Sequence, residues 1–183
     1  MRLGRDFYLN NAYNLAQNLL GKVLCIKKDG NITHYRIVET EAYGGATDKA
    51  SHAYNYRFTN RTKPLYLVGG CLYIYLIYGM YYMLNITANV ANNPEAVLIR
   101  ALEPLDNKKE QTNGPGKLCK VLNIDKSFNG LDLTISENIY IEDDGYRCPD
   151  IIATKRINID YAMEDKDKLW RFYIKENPYV SKR

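Results

Sequence analysis

The chain has 183 residues, 46% of them hydrophobic and 25% charged, which suits one soluble globular domain with room for a real core. A net charge of +4 permits a polyanionic partner without requiring one. The absence of any apolar run of about 18 residues excludes a membrane-spanning helix.

Cys25, Cys71, Cys119 and Cys148 lie 46, 48 and 29 residues apart, so no Cys-x-x-Cys pair exists. With only His34 and His52 beside them, this spacing argues against a zinc site, and neither a metal nor another cofactor is expected. Dispersed thiols and an N-terminal Met-Arg-Leu-Gly-Arg-Asp without an apolar signal region fit a cytoplasmic protein. Seventeen tyrosines stand against four phenylalanines. Plentiful Asn, Lys and Ile point to an AT-rich coding bias behind much of that excess. The bias does not account for the cluster Tyr73, Tyr75, Tyr78, Tyr81 and Tyr82.

In chain order, residues 10–20 place Leu15, Leu19 and Leu20 at helical spacing and stop at Gly21. Residues 22–27, a turn at Asp29-Gly30 and a run over 33–43 read as a β-hairpin. Residues 44–64 form a long polar loop, a length more often functional than idle. Strands follow over 72–78, 81–88 and 96–102, with a hairpin tip at Gly79. Gly114-Pro115-Gly116 opens a short helix over 117–123. Further strands are expected over 131–135, 138–142, 151–158 and 169–175. Short turns between most strands imply an antiparallel sheet. Gly114-Pro115-Gly116-Lys117 resembles the end of a P-loop, but Leu118 replaces its Ser/Thr and the spaced first glycine is missing.

The chemistry-bearing segment is Arg36-Ile37-Val38-Glu39-Thr40-Glu41-Ala42-Tyr43. Side chains alternate faces along a strand, so Glu39, Glu41 and Tyr43 project together. Two carboxylates and an aromatic ring on one face are poor core material and a good site for activating water beside a flat ring. Same-face carboxylates about 7 Å apart fall within the roughly 6.5–9.5 Å separation of inverting glycosidase pairs. A two-carboxylate mechanism is therefore open from the residues alone.

These blocks, with Leu3-Gly4, Phe7, Leu19-Leu20-Gly21, Asp48-x-Ala50-Ser51-His52, Thr59-x-Arg61-Thr62, Tyr73-Ile74-Tyr75-x-Ile77-Tyr78-Gly79-Met80-Tyr81, Asn85, Val97–Pro104, Gly114–Cys119, Arg171-Phe172-Tyr173 and Pro178-x-Val180-Ser181, resemble the alkyladenine (3-methyladenine) DNA glycosylase family over nearly the whole chain. Local departures fall at Asn60, Leu65-Tyr66 and Val68.

The resemblance implies an α+β fold, a single domain built on a curved, mainly antiparallel sheet with flanking helices and a protruding β-hairpin. It implies a monomeric, monofunctional enzyme that removes alkylated purines from duplex DNA. Glu41 would be the catalytic carboxylate, with Glu39 structural, and Arg100 would help hold the water and a nearby phosphate. Tyr43, His52 and Tyr75 would sandwich the flipped base, and Asn85 would crowd the exocyclic amine of guanine. Tyr78 would fill the gap left in the duplex, and Thr59, Arg61 and Lys117 would meet the DNA backbone.

Two other readings use the same residues. A catalytically silent module could stack single-stranded bases on the Tyr-rich sheet, but Glu41 would there repel phosphate. A glycosidase of free nucleosides would have no use for a wedge at Tyr78.

Overall fold

The structure is a computed structural model that describes residues 1–28, 30–106, 109–148 and 150–183. Among the described residues, three α-helices, α1 (Arg5–Tyr8), α2 (Ala12–Asn18) and α3 (Pro115–Val121), accompany eight strands. The strands are β1 (Val23–Lys28), β2 (Asn31–Tyr43), β3 (Leu72–Ile77), β4 (Tyr81–Ala88), β5 (Glu95–Pro104), β6 (Ile139–Glu142), β7 (Ile151–Thr154) and β8 (Arg171–Ile174). Every pairing is antiparallel, along the path β3-β4-β5-β2-β1-β6, with β8 also on β2 and β7 outside it.

The sheet forks at β2. Residues 31–36 of this strand pair with β1, whereas Glu39, Thr40 and Glu41 pair with β8. A register shift against β5 at Glu39 marks a bulge where one partner replaces the other, and bulges bend a strand and raise its twist. The result is a curled, antiparallel half-barrel.

The two faces are covered by different material. Leu15, Ala16, Leu19, Leu118, Cys119 and Leu122 of the helical segments join Val38, Ala42, Leu72, Ile74, Val97 and Ile99 in one apolar cluster. α2 is capped by the Asn11 side chain, which accepts from Asn14 N, and Thr40 Oγ1 donates 2.8 Å to Ala16 O, fixing the helix on β2. Alternation sends Tyr73, Tyr75, Glu39, Glu41 and Tyr43 to the opposite face. There the 44–66 segment lies over the sheet through two smaller clusters: Ala53, Leu65, Tyr73 and Ala96, and Ala50, Ile159 and Ala162. Both faces being covered, the middle of β2 and of β5 is almost continuously buried.

The 44–64 loop is a loop as expected, with short 3-10 turns at Gly45–Thr47, Tyr54–Tyr56 and Lys63–Tyr66. Other expectations need correction. No strand forms over 131–135, where only an isolated bridge joins Cys71 to Asp132. The Asp132 carboxylate accepts from Thr134 N at 2.9 Å and Thr134 Oγ1 at 2.7 Å, while Asp132 O accepts from Ser136 N, so a local turn replaces the ladder. The 151–158 strand ends at Thr154, because Arg156 turns inward to a buried partner. The helix near 117–123 starts earlier, at Pro115. Helix α1 was not foreseen. The turn expected at Asp29-Gly30 includes Asp29, which lies outside the described residues.

Candidate active site

Tyr43, His52, Tyr75 and Asn85 line one pocket together with Ala50, Ser51, Leu65, Ala96 and Tyr161, and it opens to solvent. The first four are sequence candidates drawn from four separate stretches of chain.

Glu41 is 0% exposed and is joined to the pocket through the lining residue Tyr43. Its Oε2 accepts from the Tyr43 hydroxyl at 2.8 Å, and its Oε1 accepts from Ile157 N at 2.8 Å and faces Arg100 Nη1 at 3.3 Å. A carboxylate oxygen has two lone-pair directions, so Oε2 with one protein donor keeps an acceptor site for water. Burial alone would lower the Arg100 guanidinium, but Glu41 and then Glu39 hold it above its ordinary value. It stays cationic beside them. Burial, followed by the Glu41 charge, pushes the Tyr43 phenol well up, which keeps it a neutral donor.

Glu39 is differently placed. Arg100 Nε meets its Oε1 at 3.0 Å and Arg171 Nε at 3.2 Å, while Ser181 donates from N at 2.7 Å and from Oγ at 2.9 Å. Two hydrogen-bonding partners and the Arg171 ion pair bring β5, β8 and the C-terminal segment onto one carboxylate. Glu39 is a structural clasp, and Arg100 connects it to Glu41.

The walls are aromatic. His52 and Tyr75 stand edge to face with centroids 4.6 Å apart, too close for a base between them. His52 Nδ1 is 2.9 Å from the Tyr73 hydroxyl. Burial, with Arg61 and Arg57 adding to it, lowers His52 to about 4, so the ring is neutral at pH 7. Burial raises Tyr73 to about 12 and Tyr75 further. Asn85 Nδ2 donates to Tyr73 O at 3.1 Å and Met83 O at 3.3 Å, which holds this side chain rigidly against the pocket.

Outside the pocket, Tyr78 and Gly79 form the β3–β4 turn with φ of 54° and 67°. Two consecutive positive φ values suit a tight hairpin turn and favour glycine at the second position. Tyr78 is 75% exposed, so it is not core. Lys117, in the first turns of α3, lines a shallow groove with Tyr78, Tyr81 and Met83. Arg61 stacks over Tyr75 at 5.3 Å and lines a second depression with Thr59, Arg57 and His52. Thr59 Oγ1 lies 3.2 Å from Thr62 Oγ1, and Thr62 Oγ1 accepts from Thr59 N at 2.8 Å; Thr59 thus also closes the local turn.

Sequence reasoning missed Arg156. Its Nη1 and Nη2 grip Asp48 at 2.6 and 2.9 Å, and its guanidinium faces the rings of Tyr43 at 5.0 Å and Trp170 at 5.3 Å. Asp48 also accepts from Gly44 N and Ala50 N, pinning the start of the loop that carries His52. A lone Arg in an apparent strand gave no signal, although Asp48 lay in a quoted motif. Tyr161, on the pocket rim with its hydroxyl donating to Ala50 O at 3.2 Å, was also missed.

The site thus sets an aromatic-lined pocket beside a buried carboxylate, on a curled antiparallel sheet. The profile of the family described as methylpurine-DNA glycosylase (MPG) matches residues 6–178. Proteins named "Putative 3-methyladenine DNA glycosylase" from Clostridium novyi (strain NT) and Clostridium perfringens (strain 13 / Type A) are each 48% identical to this chain, over 202 and 205 aligned positions. The alignments cover 100% of this chain in both cases, and 99% and 100% of those proteins. A Clostridium botulinum (strain Langeland) protein of the same name is 48% identical over 99% of each chain. The chain belongs to the methylpurine-DNA glycosylase family, whose members are DNA glycosylases that hydrolyse N-glycosyl bonds. Among the described residues no helix is long and apolar enough to cross a membrane.

Proposed function

We propose that the protein is a monofunctional glycosylase of DNA repair that flips 3-methyladenine, 7-methylguanine and related alkylated purines out of duplex DNA and hydrolyses their bond to C1′. The observation that carries the reading is Glu41, a buried carboxylate with a free acceptor position, bonded to the tyrosine that lines an aromatic pocket.

A base inside a duplex is out of reach and must be extruded. The exposed Tyr78 fills the vacated space as a wedge from the minor groove. The flipped base lies between Tyr43 and the His52–Tyr75 pair, whose electron-rich faces favour cationic alkylated purines. Asn85, held by two backbone carbonyls, clashes with the exocyclic amine of guanine and cannot swing aside.

Alkylation at N3 or N7 gives the base a positive charge, so it departs neutral and needs little protonation. Glu41 takes the proton of the attacking water and stabilises the oxocarbenium-like sugar. Arg100 holds Glu41 in place and helps fix the water and a nearby phosphate. Arg61, Thr59 and Lys117 contact the backbone around the lesion. Among the described residues that line the pocket there is no Lys and no N-terminal amine to act as nucleophile, so the product is an intact strand with an abasic site. The enzyme works as a monomeric single domain in the cytoplasm, without a catalytic metal.

The test is release of free base from duplexes carrying 3-methyladenine, 7-methylguanine or hypoxanthine, with a chelator present. The two methylated bases should be released without strand cleavage. Release that requires added metal, or none from any methylated duplex, would sink the proposal.

A further inference from the structure

The end of β2 remote from Glu41 carries a second cluster of chemistry-bearing side chains. The sheet register pairs Cys25 of β1 with His34 of β2 and with Tyr140 of β6. Glu142, two residues beyond Tyr140, projects on the same face. The Cys25 sulfur, an imidazole nitrogen of His34 and a carboxylate oxygen of Glu142 all lie within 4.8 Å of one another. The thiol is buried and the other two are half-buried. A fourth group completes the arrangement: Asp106 accepts from His34 N at 2.9 Å and meets its Nδ1 at 3.3 Å. An outer carboxylate of this kind orients a ligand imidazole and leaves Nε2 for an ion.

We propose that Cys25, His34 and Glu142 bind one Zn²⁺ ion, with water in the fourth position. Thiolate, imidazole and carboxylate are the three donor types zinc takes from proteins, and a borderline-soft ion suits the mixture. Zn–S and Zn–N bonds of roughly 2.3 and 2.0 Å set tetrahedral donors about 3.5 Å apart, so the side chains must close by about 1 Å. One thiolate and one carboxylate neutralise the ion. On binding, the Cys25 S–H bond breaks, a sulfur–zinc bond forms, and the proton passes to solvent; nothing is oxidised or reduced.

The ion would clasp β1 and β2 to the edge strand β6. His34 and Glu41 are seven residues apart on one strand, about 23 Å, so the ion takes no part in base excision. Linear spacing hides this site, because only the β1–β2 and β1–β6 pairings bring its members together.

The test uses the full chain, stripped with a chelator that is then removed, and titrated with Zn²⁺ against a chromogenic competitor. One equivalent should bind, with a higher midpoint of thermal unfolding. His34→Ala, Glu142→Gln and Cys25→Ser should each weaken binding about tenfold or more. With Co²⁺ as probe, a thiolate-to-cobalt charge-transfer band should appear in the wild type and vanish in Cys25→Ser. Excision by His34→Ala should match wild type. No equivalent bound, or affinity unchanged in both His34→Ala and Glu142→Gln, would overturn the site. Should Cys25→Ser fail to fold, those two variants decide, since both side chains reach solvent.

Discussion

The Tyr43 hydroxyl donates to Glu41 Oε2 at 2.8 Å, so the ring that lines the base pocket also orients the carboxylate beside it. In the proposed reading, base stacking and water activation would share one side chain. Tyr43→Phe keeps the ring and deletes the donor. Loss of one hydrogen bond to a charged acceptor costs about 1.5–3 kcal/mol, so single-turnover excision should fall by roughly 10- to 100-fold with lesion binding largely kept. Tyr43→Ala should lose binding as well. Equal affinity losses in the two variants would show that the hydroxyl is idle.

Asn85→Ser should weaken discrimination against normal guanine. The native side chain is held by Tyr73 O and Met83 O, so in the proposed reading it resists an exocyclic amine, and the shorter serine would remove the obstacle. Guanine release in vitro should rise relative to 7-methylguanine release. An unchanged ratio would make Asn85 a structural residue only.

The strands carrying Glu41, Tyr75 and Asn85 were legible because alternating pattern and turn chemistry agree there. The partition of Glu39 from Glu41 was not legible from spacing, since both point to one face. It depends on Arg171 and Ser181 arriving from β8 and the C-terminal segment, more than 130 residues away along the chain. Arg156 was invisible for the same reason: its inward turn is dictated by Asp48, across the sheet. The turn at 132–136 was misread as a strand because Asp132 was scored by its apolar neighbours rather than by its capacity to bond its own backbone.

Tyr78→Ala should harm duplex substrates selectively. Extruding a nucleotide costs a few kcal/mol, and stacking on an inserted ring offsets roughly 1–3 kcal/mol of it. Duplex excision should drop about tenfold or more, single-stranded excision much less. The exposed ring contributes little to packing, so thermal stability should hold. Equal losses on both substrates would remove the wedge role.

His52 makes stability depend on pH. Burial, then Arg61 and Arg57, depress it to about 4, against about 6.5 in an unfolded chain. The native state stays neutral while the unfolded chain takes up a proton, so stability falls as pH drops from about 6.5 to about 4 and this contribution levels off below. The loss is on the order of 3 kcal/mol. His52→Gln should flatten that part of the slope, as read by denaturant unfolding across the window. A variant with the wild-type slope would show that other groups set it.

The most direct test of the account compares Glu41→Gln with Glu39→Gln, each assayed for single-turnover excision, affinity for lesion duplex and thermal stability. Glu41→Gln should lose at least about 10²–10⁴-fold in excision while binding and folding persist. Glu39→Gln weakens the clasp among Arg100, Arg171 and Ser181. It should therefore lower the melting temperature and leave the folded fraction with substantial activity. A Glu41→Gln protein that excises at near wild-type rate, beside a folded but inactive Glu39→Gln protein, would contradict the assignment.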